Sequence, residues 1–327
     1  MIKAAVAGLN WGRVHISAYR ELGCQVVALA GRDLEKCRQI ANEYGIPESC
    51  GSVADLARSD ADLISIAVPA ADHFAALMQA TDQFQFIVCE KPVLGFGGTA
   101  EQYAQLSGRI FFNYAYPFLE DMEIFCQKLR GIRDLMEILI ECRYHLELNR
   151  KFTPEEFFYE TVSHPVSLVV HGLLGFVSAE RTADDTITAR TSSGTAVRII
   201  CREDQSISGI RHRITATGED ELQLSGAYVT GSNWHYQPLL YNQAPISGEH
   251  YPAADPWYTA NKNSLGNLVR YFSGEQSLEE TLQKGAFSLE KAMIVENILG
   301  SLKEPWRDKQ FSHKEESKSG SYFFTVP

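Results

Sequence analysis

The chain has 327 residues, a net charge of −11, 45% hydrophobic residues and 22% charged residues. This length allows two domains with buried cores, and the composition is that of an ordinary soluble globular protein. The acidic balance argues against a nucleic-acid partner, which requires clustered lysine and arginine, and no apolar run is long enough to span a membrane.

The first part of the sequence alternates short apolar strands with amphipathic helices. Predicted strands cover residues 2–7, 24–31, 63–69, 86–92 and 109–117, and predicted helices cover 12–22, 34–45 and 72–79. Continuous apolar strands between helices are typical of a parallel sheet covered on both faces. We therefore expect a Rossmann-like, doubly wound parallel α/β domain over residues 1–120.

After residue 120 the strands alternate apolar and polar residues instead. A predicted helix at 119–130 precedes strands within 136–148, 186–203 and 211–231, and helices follow at 257–272 and 278–299. Such alternation predicts a largely antiparallel sheet with one polar face. We therefore expect an open-sheet α+β domain over residues 121–327.

The seven cysteines are scattered, and none forms a C-x-x-C pair. This pattern predicts neither a disulfide framework nor a zinc site, and the histidines also lack the spacing of metal ligands. Scattered thiols and an amino terminus without a signal-peptide pattern favour a cytoplasmic location. No metal is expected.

A glycine-containing turn, G-L-N-W-G-R, follows the first predicted strand. It stands where a dinucleotide-binding fingerprint would stand, although Asn10 replaces the second glycine and Arg13 the third. Its backbone N–H groups could face a pyrophosphate at the helix N-terminus, while a turn that merely needs glycine is the alternative. The predicted cofactor contacts in this turn are Gly8, Asn10, Trp11, Gly12 and Arg13.

Gly31, Arg32 and Asp33 follow the second predicted strand and are further candidate cofactor contacts. An NAD-binding protein usually has a carboxylate here for the ribose 2′-hydroxyl, but Gly31 occupies the expected position. The Arg32 guanidinium suits a 2′-phosphate, and Asp33 is either a ribose ligand or a helix N-cap. NADP(H) is therefore favoured over NAD(H).

The sequence Cys89-Glu90-Lys91-Pro92 ends a strand of the first domain. A lysine at this edge could donate a proton near a nicotinamide ring, whereas a surface lysine before a turn is the alternative. This E-K-P sequence resembles a motif of the glucose–fructose oxidoreductase/inositol dehydrogenase (Gfo/Idh/MocA) family. Residues 69–73 (PAADH) resemble its P-N-x-x-H segment, residues 112–114 (FNY) its F-N-x-R strand, and residues 160–164 (ETVSH) its D-x-G-x-H element.

The resemblance implies a role for several residues. It implies cofactor contacts at Pro69, His73, Glu90 and Lys91, and catalytic roles for Lys91, His164 and Glu160. Because Pro165 follows His164, a helix is expected to begin near His164, with Glu160 before it. The resemblance also implies that the second domain binds substrate and forms oligomer contacts, as in a homodimer or homotetramer.

The shortened glycine turn resembles one branch of this family, the thiazolinyl imine reductases of siderophore assembly, which carry an aromatic residue where Trp11 stands. Residues 113–117 (NYAYP) are similar to that branch's N-x-x-Y-P stretch, which implies Tyr116 as a proton donor. The branch tends to have histidine in place of Lys91, whereas sugar-oxidising members keep lysine. The sequence therefore combines features of both groups.

Three functions follow from these patterns. We favour NADPH-dependent reduction of a cyclic imine in siderophore or nonribosomal peptide biosynthesis, on a small-molecule substrate that is free or tethered to a carrier protein. An NAD(P)-dependent sugar or cyclitol dehydrogenase is the second function. A non-catalytic NADP-binding sensor is the third, and the presence of both Lys91 and His164 argues against it.

Overall fold

The computed structural model describes residues 1–93, 102, 110–145, 154–173, 175–183, 185–207, 209–228, 234–247, 256–300 and 322–323. Its backbone divides into two compact units, Met1–Phe118 with Trp257–Met293 and Leu119–Pro256 with Ile294–Pro327. The expected boundary at residue 120 lies close to the first division. Residues 257–293, which we expected in the second domain, belong to the first unit instead.

The elements of the described residues have the following bounds. The helices are α1 (Gly12–Glu21), α2 (Leu34–Tyr44), α3 (Val53–Leu56), α4 (His73–Ala80), α5 (Glu120–Gly131), α6 (Pro154–Gly172), α7 (Pro256–Phe272), α8 (Leu278–Gln283) and α9 (Leu289–Gly300). The strands are β1 (Lys3–Ala7), β2 (Gln25–Ala30), β3 (Glu48–Cys50), β4 (Leu63–Ile66), β5 (Phe86–Glu90), β6 (Ile110–Asn113), β7 (Glu137–Tyr144), β8 (Phe176–Ala183), β9 (Thr186–Thr191), β10 (Ala196–Glu203), β11 (Ile210–Thr217), β12 (Glu221–Tyr228), β13 (Trp234–Tyr236), β14 (Leu240–Tyr241), β15 (Ala244–Pro245), β16 (Phe287–Ser288) and β17 (Tyr322–Phe323). Short 3₁₀ turns lie at Ala70–Asp72 and Tyr116–Phe118.

A seven-stranded sheet forms the centre of the first unit, in the order β16-β6-β5-β4-β1-β2-β3. The neighbours are parallel except for β16, which runs antiparallel to β6. The strand order reverses between β1 and β4, as in a Rossmann fold, and ligands of such sheets bind beyond the carboxyl ends of the strands. The fold expected for this part of the chain is confirmed.

The late helix α7 belongs to the first unit because its apolar face completes that unit's core. Leu265, Leu268 and Phe272 are buried in one cluster with side chains of β1, β2, β5 and β6. The Phe272 ring stacks on Phe86 with centroids 4.1 Å apart, and it meets Phe111 edge-on at 5.8 Å. Composition and periodicity predict the helix but not the sheet against which it packs.

The prediction of a single helix over residues 278–299 is wrong. The structure has α8, then Gly285 with φ +116°, then the short strand β16, and then α9. A positive φ is left-handed backbone, which ends an α-helix and suits glycine. The chain then pairs Phe287 with Phe112, which adds β16 to the edge of the sheet.

A ten-stranded sheet forms the centre of the second unit, in the order β15-β14-β12-β11-β7-β10-β9-β8-β17, with β13 paired to β12. The neighbours are antiparallel except for the parallel pair β7 and β10. Strand β11 shows the expected alternation, since Ile210, His212 and Ile214 are buried while Arg211 and Arg213 are exposed. The expected, largely antiparallel open-sheet domain is confirmed.

The expected start of a helix near His164 is wrong, because α6 begins at Pro154 and contains Pro165. Proline favours the first position of a helix, and Pro154 occupies that position. Inside the helix, Pro165 removes one backbone donor, and the Ser167 hydroxyl donates to the His164 carbonyl at 2.8 Å. Glu160 and His164 both belong to α6, four residues apart.

Within the described residues, no helix is both long enough and apolar enough to cross a bilayer.

Removal of one α7 side chain tests the packing of the late segment. Leu268 is 2% exposed, so we expect Leu268→Ala to lower the free energy of unfolding by about 2–5 kcal/mol in urea denaturation. The control is Leu278→Ala, because that side chain is 42% exposed and its loss should change stability by less than about 0.5 kcal/mol. Equal effects of the two variants would contradict the assignment of α7 to this core.

Candidate active site

The turn after β1 packs directly on the neighbouring strand β4. Gly8 has φ +122°, its N–H donates to the Ala30 carbonyl at 2.9 Å, and a Cβ built on it would lie 2.2 Å from the Ala67 carbonyl oxygen. Only glycine fits this position. Helix α1 begins at Gly12, so its N-terminus lies at the carboxyl edge of the sheet.

Two cations lie at the end of β2, beside this turn. The exposed Arg32 guanidinium is 3.4 Å from the Asp72 carboxylate, and the Lys36 ammonium donates to Asn10 Oδ1 at 3.1 Å. Asp33 accepts a hydrogen bond from the Lys36 backbone N–H, which makes Asp33 the N-cap of α2. The capping alternative therefore explains the Asp33 carboxylate, while Arg32 and Lys36 provide positive charge at this edge.

Two other predicted residues near this edge have different environments. Gly31 lies against Leu9, whose side chain a Cβ at Gly31 would meet at 2.4 Å. Arg13 pairs with Glu43 and lies over the Tyr44 ring at 5.6 Å, so its guanidinium is engaged at the end of α2. Packing against Leu9 thus explains the glycine at position 31, and the Arg13 side chain is held away from the turn.

The Glu90 carboxylate is the meeting point of three segments. Its Oε1 accepts hydrogen bonds from Trp11 Nε1 at 3.1 Å, His15 Nε2 at 2.8 Å and Asn113 Nδ2 at 2.6 Å. Lys91 follows directly, at the carboxyl end of β5. The arrangement brings the predicted residues Trp11 and Glu90 into contact and places both beside Lys91.

These contacts keep Glu90 ionised although it is only 8% exposed. Burial alone would raise its pKa, but the hydrogen bonds from His15 and Asn113 and the Lys91 charge together lower the pKa below its usual value. Since all three donors use Oε1, Oε2 accepts no hydrogen bond within the described part of the chain.

Asn113 extends this polar network to α7. Its Nδ2 also donates to Asn261 Oδ1 at 2.6 Å, and its Oδ1 accepts from the Ser264 hydroxyl at 2.8 Å. Asn261 in turn donates to the Trp257 carbonyl at 2.7 Å. Asn113, Asn261 and Ser264 are all buried, so these paired amides fix β6, α7 and Glu90 relative to one another.

His73 links the loops that follow β4 and β5. Its ring is 2% exposed, with Nδ1 3.0 Å from the Pro92 carbonyl and Nε2 2.9 Å from the Val68 carbonyl. Pro69, the other predicted residue of this segment, directly precedes the turn Ala70–Asp72. His73 therefore holds the segment that carries Lys91, and its described contacts are with the backbone.

Tyr116, His164 and Glu160 are the remaining predicted catalytic residues. Tyr116 is fully buried in the first unit, where its ring stacks on Trp257 with centroids 5.9 Å apart. His164 is partly buried in α6 of the second unit, and the side chain of Glu160 lies outside the described residues. The proposed roles of these three residues stay predictions.

Sequence reasoning missed His15, Ser65, Ser264 and Lys36. Two of them carry a visible signal, because Ser65 interrupts an apolar strand and His15 falls on the buried face of α1. A buried polar residue usually has a hydrogen-bond partner, but the sequence does not identify that partner.

No group of three or more His, Cys, Asp or Glu side chains is placed to hold a metal ion in the described ranges.

Comparisons with known proteins agree with this geometry. Residues 2–107 match the Gfo/Idh/MocA model, described as an oxidoreductase family with an NAD-binding Rossmann fold. The trans-1,2-dihydrobenzene-1,2-diol dehydrogenase of Xenopus tropicalis is 35% identical over 81 residues, which are 24% of each protein. The matched part therefore spans less than a third of that relative's length.

Solved structures resemble the whole chain. Myo-inositol dehydrogenase from Lactobacillus casei, in complex with NAD(H) and myo-inositol, has a TM-score of 0.71 at 15% identity, covering 100% of this chain and 98% of that protein. The WlbA dehydrogenase from Bordetella pertussis, in complex with NADH and UDP-GlcNAcA, has a TM-score of 0.71 at 13% identity, covering 100% and 99%. These identities show the fold alone. The family model describes an NAD-binding Rossmann fold, and the residues that it matches contain strands β1 to β5 of the first unit.

Substitution of the turn glycine tests the cofactor site. We expect Gly8→Ala to raise the dissociation constant of NADPH by at least roughly tenfold, because strain of about 1–3 kcal/mol and the contact with Ala67 displace the turn. Titration of NADPH fluorescence measures this effect. Gly131→Ala is the matched control, since nothing lies within 4 Å of its added Cβ. Unchanged affinity in a folded Gly8→Ala protein would remove the turn from the cofactor site.

Proposed function

We propose, from the premise that residues 2–107 carry the NAD-binding domain of this oxidoreductase family, that the protein is an NADPH-dependent dehydrogenase. Its substrate is a diol, sugar or cyclitol, of which it interconverts a secondary alcohol and the corresponding carbonyl. The observation that supports this proposal is the position of Lys91 at the carboxyl end of β5. Lys91 follows Glu90, whose carboxylate is ionised and held by hydrogen bonds. Sugar-oxidising members of the family keep a lysine here.

The residues at the sheet edge fit a dinucleotide. The close approach of Gly8 to Ala67 keeps the turn free of side-chain bulk, and the N-terminus of α1 suits a pyrophosphate. Arg32 and Lys36 would bind a 2′-phosphate, because Asp33 already serves as an N-cap. When bound, the nicotinamide supplies or accepts the hydride. NADP(H) is therefore the cofactor that we propose.

Lys91 is the proposed proton donor and charge-stabilising group. In carbonyl reduction, its ammonium would stabilise the developing alkoxide and give it a proton; in alcohol oxidation, it would orient the hydroxyl group. Glu90 keeps a negative charge beside the ammonium, and His73 holds the following backbone segment. In alcohol oxidation the same transfer runs in reverse, with the neutral Lys91 amine taking the hydroxyl proton, and the acid/base role of His164 stays a prediction.

Reduction of a cyclic imine, free or carrier-tethered, is the second candidate. One observation favours it: Trp11, on the shortened turn that resembles the thiazolinyl imine reductases, donates directly to Glu90. The feature shared with that branch therefore lies within the Lys91 site. Tyr116, the donor expected for this reaction, is fully buried and packs on Trp257. Packing alone would therefore also explain a tyrosine at this position.

Removal of the Arg32 charge tests the cofactor preference. We expect Arg32→Ala to weaken NADPH binding by roughly tenfold to a hundredfold and NADH binding by less than about threefold, because only NADPH carries the 2′-phosphate. Fluorescence titration with both cofactors measures the difference. The control is Arg38→Ala, which removes an exposed cation from the following helix, α2. Equal losses for NADPH and NADH in Arg32→Ala would overturn the assignment.

The reaction itself is tested by NADPH absorbance with two groups of compounds. NADP⁺ is offered with diols, sugars and inositols, and NADPH with a small aryl-thiazoline. We expect turnover only in the first group and a decrease of roughly 10²-fold to 10⁴-fold in Lys91→Ala, with cofactor affinity within about threefold. Consumption of NADPH by the thiazoline alone would establish the second candidate instead. Cofactor binding without any turnover would favour a sensor.

A further inference from the structure

We propose that His15 is a positioning residue for the Glu90–Lys91 site. Its neutral imidazole, protonated on Nε2 and held from behind by Ser65 and Tyr19, orients the Glu90 carboxylate beside Lys91. The inference rests on the proposed function in one respect, namely that Lys91 takes part in the reaction.

His15, Ser65 and Tyr19 form a buried chain behind the carboxylate. His15 Nδ1 lies 2.6 Å from Ser65 Oγ, and the Tyr19 hydroxyl donates to the same Oγ at 3.3 Å. All three side chains are fully buried. The chain therefore begins inside the apolar core and ends at Glu90, without an outlet to solvent through Tyr19.

The donor count assigns the protons along this chain. Since Tyr19 donates to Ser65 Oγ, the Ser65 hydroxyl proton can go to His15 Nδ1, and the proton on His15 Nε2 then goes to Glu90. Burial raises the pKa of Tyr19, which keeps the phenol protonated and donating. A doubly protonated His15 would donate from Nδ1 to Ser65 Oγ, and the Ser65 proton would then have to go to the Tyr19 oxygen, against the direction of the Tyr19 hydrogen bond.

The contacts of Glu90 show how the hydrogen bonds of His15, Ser65 and Tyr19 can orient the carboxylate. Trp11 and Asn113 approach Oε1 together with His15, so the three donors fix one oxygen and leave Oε2 free of protein donors in the described part of the chain. Without the His15 donor, only Trp11 and Asn113 would hold Oε1, and the whole carboxylate could shift by rotation about the Cβ–Cγ bond. Its charge would then lie at a different distance from Lys91, and electrostatic attraction depends on that distance.

Nitrogen-15 NMR of the full chain, labelled in its histidine rings and without any substrate, tests the proton assignment. The His15 signals are identified by their loss in His15→Gln. At neutral pH we expect one protonated nitrogen, Nε2, and one bare nitrogen, Nδ1. A proton on Nδ1, alone or in addition to one on Nε2, would overturn the inference.

Kinetics test whether His15 acts through Lys91. We expect His15→Phe to lower turnover by at least roughly tenfold while the NADPH dissociation constant changes by less than about threefold. His15→Gln can restore an N–H donor toward Glu90, so its turnover should stay within about fivefold of the wild type. In a Lys91→Ala background, His15→Phe should lower turnover by less than about threefold, because both substitutions disrupt the same interaction.

His212→Phe is the matched control, since His212 is also buried but lies on β11 of the second unit. It should change thermal stability without reproducing the dependence on Lys91.

Full multiplicative losses in the double variant His15→Phe/Lys91→Ala would show that His15 does not act through Lys91. If no compound turns over, the proposed function fails, and the NMR result still decides the tautomer. If the wild type turns over a substrate and His15→Phe matches it, the inference alone fails.

Discussion

The buried carboxylate of Glu90 constrains the first unit, because a buried charge is costly unless hydrogen bonds compensate it. Its Oε1 receives N–H groups from the turn after β1, from α1 and from β6. These segments must therefore keep fixed positions relative to β5. The nucleotide-binding edge and the lysine proposed for the chemistry are consequently built on the same set of contacts.

The same constraint reaches a distant part of the chain. Asn113 donates to both Glu90 and Asn261 and accepts from Ser264, so two polar residues of α7 complete a network that begins in the Rossmann sheet. Around this network, the apolar residues of α7 pack against β5 and β6. Polar and apolar contacts together explain why residues 257–293 belong to the first unit although they follow the second in sequence.

The variant glycine turn also acquires a physical meaning from this arrangement. Trp11 donates to Glu90, and Asn10 accepts from Lys36, so two non-glycine residues connect the turn to β5 and to α2. Gly8 remains indispensable because its backbone touches Ala67. The turn therefore preserves the one glycine that the strand spacing requires, and it uses its other positions to join the cofactor edge to the Glu90–Lys91 site.

The sequence by itself determined the two-sheet architecture, the glycine turn after β1 and the position of the E-K-P sequence at the end of a strand, since hydrophobic periodicity and local motifs depend on neighbouring residues. It did not determine the start of α6 at Pro154, the break at Gly285 or the role of Asp33 as an N-cap, which depend on local backbone conformation. Only the tertiary structure decided that His15 and Asn113 converge on Glu90 and that Asn261 joins them through Asn113. Hydrogen-bond partners up to 151 residues apart in this network are brought together by packing, and no local pattern encodes that distance.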